Sequence, residues 1–151
     1  MNVILSIKPK YCEKIINGKK KVEFRRKIFK NENKIDLVFM YSTSPVKKIV
    51  GFFKIESIIK DHPRGLWKRF KDLSGIKEDE FFEYFGSSKT GFAIKIKEVE
   101  AFKPPLDPKK LFPSFIPPQS FCYLSLTEPV FSCSLRKTSL KSLQPLIAMS
   151  F

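Results

Sequence analysis

Hydrophobic positions along this chain fall into two rhythms, one of strands and one of helices. Residues 2–8, "NVILSIK", form a short apolar run that predicts a buried strand. Pro9 then stands at a first-turn position that proline tolerates. Tyr11, Ile15 and Ile16 recur at helical spacing, and Gly18 supplies a stop. "KKVEFRR" returns to period two, with Val22 and Phe24 on one side and Lys21, Glu23 and Arg25 on the other. "NENK" marks a turn. "IDLVFMYS" (residues 35–42) is near-continuously apolar and is expected at the centre of a sheet. "TSP" breaks it, and residues 47–59, "KKIVGFFKIESII", read as a long strand bulged or bent at Gly51.

The middle of the chain is helical. "PRGLWKRFKDL" sets Leu66, Trp67, Phe70 and Leu73 on one face, with Trp67 and Phe70 read as core rather than as stacking platforms. "KEDEFFEYFG" has acid at its start and glycine at its end, the order the helix dipole favours. "TGFAIKIKEVEAF" alternates again, with a shift of phase near Glu98 that predicts a strand crossing a bend. "KPPLDPKKLFPSFIPPQSFCYL" carries six prolines and reads as an extended, wrapping segment rather than a helix or a central strand. Residues 125–151 change character. They are rich in serine and leucine, and no acid occurs from Pro129 onward. They are expected to form an appended tail, disordered or foreign to the domain of residues 1–124. The order of elements suggests an α+β, mainly β, fold built as a small, partly closed barrel. No Gly-rich phosphate loop occurs, which argues against a nucleotide-fold enzyme.

Charge then narrows the partners. There are 29 basic and 15 acidic side chains, a net +14 that favours polyanions, nucleic acid before anionic membrane. No apolar run approaches the roughly 20 residues that span a bilayer, and the N-terminus lacks a signal-peptide layout. A cytoplasmic location is the expectation, with no membrane partner. Three cysteines without a CxxC pair argue against a disulfide framework, and one histidine, His62 in a turn, argues against a zinc site or a triad. No metal and no cofactor are expected.

Three stretches carry chemistry. In "GKKKVEFRR", alternation puts Lys19, Lys21, Glu23 and Arg25 on one face and Lys20 and Arg26 with Val22 and Phe24. The cations suit phosphate. Glu23 either positions a cation or accepts from a base amino group, while the plain alternative is a solvated edge strand. In "YSTSPVKKIVG", Ser42 and Thr43 precede a turn followed by Lys47 and Lys48, a grip for phosphate or a simple hairpin. In "PPQSFCY", Gln119 and Ser120 beside aromatics suit a stacking pocket or a stiff lid over the core.

Taken together, "LSIKPKYCEKIINGKKKVEFRR", "YSTSPVKKIVGFFKI", "LW…SGI…FFEYF", "FAIKIKEVEAFKPP" and "PPQSFCYL" resemble the ASCH family of the PUA-like superfamily over roughly residues 1–124. The resemblance implies a small β-barrel with peripheral helices and a cleft beside it for RNA or a nucleotide-like ligand. It also implies a regulatory role in transcription or RNA metabolism. Lys20, Glu23 and Arg25 would line the cleft. Lys19, Lys21, Arg26, Lys47 and Lys48 would meet phosphates, and Ser42, Thr43, Gln119 and Ser120 would meet base or ribose. Some members of that family are amidohydrolases of modified nucleosides, and ribonuclease activity is also proposed within it. In the amidohydrolases the lysine matching Lys20 works with a threonine where this chain has Glu23, and with a glutamate near Ser74. In an enzyme of this kind Lys20 and Glu23 would be the acid–base pair. The resemblance also requires Glu23 to reach Lys20, which strict alternation places on the opposite face.

Overall fold

The two rhythms become one mixed sheet with helices laid against it. The computed structural model describes residues 1–124, and the tail expected over residues 125–151 lies outside the described residues. In chain order the elements are β1 (Asn2–Ile7), α1 (Pro9–Ile16), β2 (Val22–Arg25), β3 (Val38–Ser42), β4 (Lys48–Asp61), α2 (Pro63–Phe70), α3 (Glu78–Phe85), β5 (Gly91–Leu106), α4 (Pro108–Leu111) and β6 (Phe121–Leu124). Short 3-10 turns cover Glu32–Lys34 and Lys71–Leu73.

The sheet order is β2-β5-β4-β3-β1-β6. β1 and β3 run parallel, Val3 beside Val38 and Ile7 beside Ser42; the other pairings are antiparallel. The apolar runs explain the central position of β1 and β3. Ile4, Phe39 and Tyr41 enter one core cluster, while Val3, Leu5, Ile7, Val38 and Met40 enter another on the opposite face. Strands buried on both faces cannot afford polar alternation.

A side-chain contact shows that this sheet curls. β2 and β6 are its two edges, which would lie roughly 24 Å apart in a flat sheet with strands about 4.8 Å apart. Yet Arg25, on β2, donates from Nη1 to the Ser6 carbonyl of β1 at 3.0 Å, and from Nη2 to Ser120 Oγ, just before β6, at 2.7 Å. The edges therefore approach each other as in a barrel, without pairing, and the seam is bridged by side chains. The result is a curled half-barrel with peripheral helices, as the α+β reading expected.

The two long strands bend where the sequence marks them. Register shifts surround Gly51, and a Cβ there would stand 2.2 Å from the Glu100 carbonyl oxygen, so only glycine admits this approach. Glu98 adopts φ +50°, at the phase change read from the sequence. The helical insert covers the end of the sheet. Leu66, Phe70, Phe81 and Phe85 pack on Val22, Phe24 and Ala93, and Trp67 lies against Phe81 at 5.0 Å between ring centres.

Two readings need correction. His62 is not a plain turn residue: its Nδ1 accepts from the Arg64 amide at 3.2 Å and caps α2. The proline-rich segment is not wholly extended. Asp107 accepts from the Lys109 amide at 3.0 Å, and Pro108 occupies the first helical position, so the Asp-Pro pair nucleates the single turn α4. Residues 103–106 are not a wrap either: they close β5, an interior strand, with Leu106 beside Ile49 of β4. Beyond α4 the segment wraps as expected, with Phe112 and Phe115 filling the core and β6 pairing only at the sheet edge. Among the described residues no helix is long and apolar enough to cross a membrane.

Candidate functional site

The seam between the sheet edges is where charge is buried. After α1 the chain turns through Gly18 at φ +80°, and the Lys20 amide donates back to the Lys14 carbonyl at 2.9 Å. Regular strand begins only at Val22. The alternation that put Lys20 and Glu23 on opposite faces therefore does not extend to Lys20, and that reading is corrected. The two side chains meet: Lys20 Nζ lies 3.4 Å from Glu23 Oε2, and Arg25 Nη1 lies 3.5 Å from Glu23 Oε1. Lys20 is 2% exposed, Glu23 6% and Arg25 9%, so none of the three is a solvated surface charge.

Each cation is also anchored elsewhere. Lys20 Nζ donates to the Ser74 carbonyl at 2.5 Å and faces the rings of Tyr11 at 5.0 Å and Phe24 at 5.8 Å. Arg25 is held by the Ser6 and Ser120 carbonyls and by Ser120 Oγ. Its Nε is buried without a partner among the described residues, an uncommon condition for a charged donor. Burial pushes the Lys20 amine below its ordinary pKa, with the neighbouring Glu23 carboxylate pulling the other way. A second tie closes the mouth of the seam. Lys10 donates to Glu80 at 2.8 Å, and the Tyr11 hydroxyl donates to the same carboxylate. These two hydrogen bonds bring Glu80 down to about 2, while burial and then Glu80 push the Tyr11 phenol up.

The charged trio opens onto a cavity of about 530 Å³, within the roughly 300–1,000 Å³ typical of small-molecule sites. Tyr11, Phe24 and Tyr84 give it ring walls; Lys8, Lys10, Glu80 and Glu83 stand with the trio among its polar groups. A neighbouring cavity of about 800 Å³ is lined by Tyr41, Lys47, Lys48, Asp107 and Lys109. The two share Ser6, Thr43 and Gln119.

The residues singled out from sequence thus separate. Lys20, Glu23 and Arg25 are brought together, Ser120 fastens Arg25, and Thr43 and Gln119 stand on the shared wall. Lys47 and Lys48 belong to the second cavity. Lys19, Lys21 and Arg26 are exposed and line neither cavity; Arg26 lies over the Tyr84 ring at 4.8 Å. Ser42 is 1% exposed, lines neither cavity, and its side chain is engaged with Cys12. Ser74 is fully buried, its hydroxyl donating to the Lys71 carbonyl at 2.8 Å, so its backbone rather than its side chain serves Lys20. Sequence reasoning missed Tyr11, Glu80, Tyr84 and Lys109. Glu80 and Tyr84, four residues apart on α3, share a face, and that spacing was the available signal. Among the described residues no three His, Cys, Asp or Glu side chains gather as a metal site.

Comparison with known proteins places the fold in a family. Residues 1–114 match a family model described as "Domain of unknown function (DUF365)". An ASCH domain-containing ribonuclease of Zymomonas mobilis subsp. mobilis is 31% identical over 127 residues, covering 83% of this chain and 85% of that one. This chain belongs to the ASCH family. Crystal structures of ASCH from Zymomonas mobilis share its fold. A mutant form gives a TM-score of 0.77 at 24% identity, covering 98% of this chain and 95% of that one. A further structure gives 0.76 at 24% identity, covering 98% and 94%. Over 108 residues the chain is also 31% identical to ATP synthase subunit alpha of Ureaplasma parvum, covering 70% of this chain but 13% of that one.

Proposed function

We propose that this ASCH module, residues 1–124, binds single-stranded RNA or a nucleotide-like ligand at the seam. A nucleoside would enter the cavity of Lys20, Glu23 and Arg25, and its phosphates would lie toward Lys47, Lys48 and Lys109. The observation that carries the reading is the buried trio itself. Three charges that are at most 9% exposed, opening onto a ring-walled cavity, are costly to hold for stability alone. Rings take the faces of unstacked bases, and charged groups take base edges and phosphates. Thr43 and Gln119, on the wall between the cavities, suit ribose or base contacts. Ser120 acts through Arg25, and Lys19, Lys21 and Arg26 add only to the outer positive field. The free buried thiol of Cys12 suits a reducing compartment, and we assign the protein to the cytoplasm.

RNA cleavage is the second reading, favoured by the ribonuclease among the relatives. Attack of a 2′-hydroxyl on the adjacent phosphodiester requires a group to take the proton, one to return it to the leaving oxygen, and cations on the phosphate. Glu23 and Lys20 would serve as the proton-handling pair, with Arg25 as the cation. The amidohydrolase reading loses support: Glu23 stands in for threonine, and Ser74 offers Lys20 only its carbonyl.

The test is fluorescence anisotropy of labelled single-stranded RNA across a salt series, with wild type and Lys20→Ala/Arg25→Ala, and gel analysis of the RNA with Glu23→Gln as control. Binding that weakens with salt and falls at least about tenfold in the double variant is expected. A flat salt response or unchanged affinity would sink the reading. Cleavage that survives Glu23→Gln would remove that residue from the chemistry.

A further inference from the structure

Glu23 presents a hydrogen-bonding pattern that not every base can meet. A carboxylate has about four acceptor sites on its two oxygens. Lys20 approaches Oε2 at 3.4 Å and Arg25 approaches Oε1 at 3.5 Å, leaving acceptor capacity on both atoms. The side chain lines the cavity, so this capacity faces a ligand. The other carboxylates there are less suited. Glu80 is engaged by Lys10 and Tyr11, and Glu83 stands exposed at the rim. Ser6 Oγ already donates to the Pro118 carbonyl at 2.6 Å. Along this inner wall the chain therefore offers two acceptors side by side with cationic donors next to them.

We propose that Glu23 selects guanine. The claim rests on the reading that this cavity takes a nucleotide, and it names the base. Guanine presents a carbonyl oxygen, an N1–H and an N2 amino group in a row. The two donors match the two carboxylate oxygens, and the carbonyl O6 falls to Lys20 or Arg25, a charge-assisted pattern like other bidentate pairs. No other common base offers adjacent donors. Adenine and cytosine set a ring nitrogen lone pair beside their amino group, and uracil flanks its one N–H with carbonyls. In each case one carboxylate oxygen would face another acceptor in a buried setting, which is unfavourable. Threonine at this position would offer a single hydroxyl and could not impose the same choice. The Lys20–Glu23–Arg25 row thus converts a general nucleotide cavity into a selective one.

The test is displacement of labelled single-stranded RNA from the unaltered chain by GMP, IMP, AMP, CMP and UMP. None of these competitors contains a cleavable phosphodiester. GMP is expected to displace at a concentration at least about tenfold below AMP, CMP and UMP, the discrimination of a good bidentate contact. IMP, which keeps N1–H and O6 but lacks the amino group, should fall between. In Glu23→Gln one acceptor becomes a donor, and the GMP advantage should shrink to within about threefold. The competitor order on the unaltered chain decides the matter even if that variant folds poorly. Equal displacement by all five, equal potency of GMP and IMP, or preference for another base overturns guanine selection while the cavity reading stands. RNA binding with no competition from any mononucleotide also overturns it. Failure to bind RNA at all removes the cavity reading, and this inference with it.

Discussion

Glu23 stands between two cations and is itself only 6% exposed. Removing it would leave Lys20 and Arg25 facing each other's charge at the seam with only carbonyls and a hydroxyl as partners. Breaking a buried ion pair by deleting one partner costs about 3–5 kcal/mol, chiefly through the charge left behind. Glu23→Ala is expected to lose stability in that range by urea unfolding. A loss under about 1 kcal/mol would mean that the trio is solvated after all. At this scale the sequence was legible in part. The residue types and their clustering were visible in "GKKKVEFRR", but their directions were not. Alternation holds only inside a regular strand, and Lys20 lies before it, beyond a glycine turn. Nor could local periodicity reveal Ser74, 54 residues away, as the backbone partner of Lys20.

β4 and β5 depend on a close approach between their backbones. Gly51→Ala would set a methyl group 2.2 Å from the Glu100 carbonyl oxygen, a backbone atom with little freedom to move. A loss of about 2–3 kcal/mol is expected, read as a lower urea midpoint with an unchanged slope. α1 and α3 are joined at the cavity mouth by Lys10, Tyr11 and Glu80. Glu80 is lowered from 4.5 to about 2 by those hydrogen bonds. Its contribution is thus present above about pH 4.5 and is lost as pH falls toward 2. Trp67 packs on Phe81 and Phe82 of α3, so its emission reports on this helix. The acid change in Trp67 emission between those two pH values is expected to be smaller in Glu80→Gln than in the wild type. An identical acid profile in both would contradict the tie. Most elements were legible, because apolar runs and helical spacing record burial directly. α4 was not, since an Asp-Pro cap inside a proline-rich stretch looks locally like a wrapping segment.

For the whole molecule, the curl of the sheet decides where the charged trio is buried. Sheet order places β2 and β6 at opposite edges, and Arg25 joins them across the seam. A chain with these strands in a flat sheet would expose the same lysines and have no buried trio. The net charge of +14 was legible from composition and predicts attraction to polyanions, but it does not choose a face. If Lys47, Lys48 and Lys109 each neutralise one phosphate, the logarithm of the binding constant should fall against the logarithm of salt with a slope of about −2. The closure that brings three charged residues together comes from long-range pairing, which no local window contains. The most direct test is amide chemical-shift mapping of the isotopically labelled chain titrated with single-stranded RNA. Shifts are expected at Tyr11, Lys20, Glu23, Arg25, Thr43, Lys47, Tyr84 and Gln119, around the two joined cavities. Shifts confined to the exposed lysines of β4 and β5, with the seam unmoved, would contradict the account.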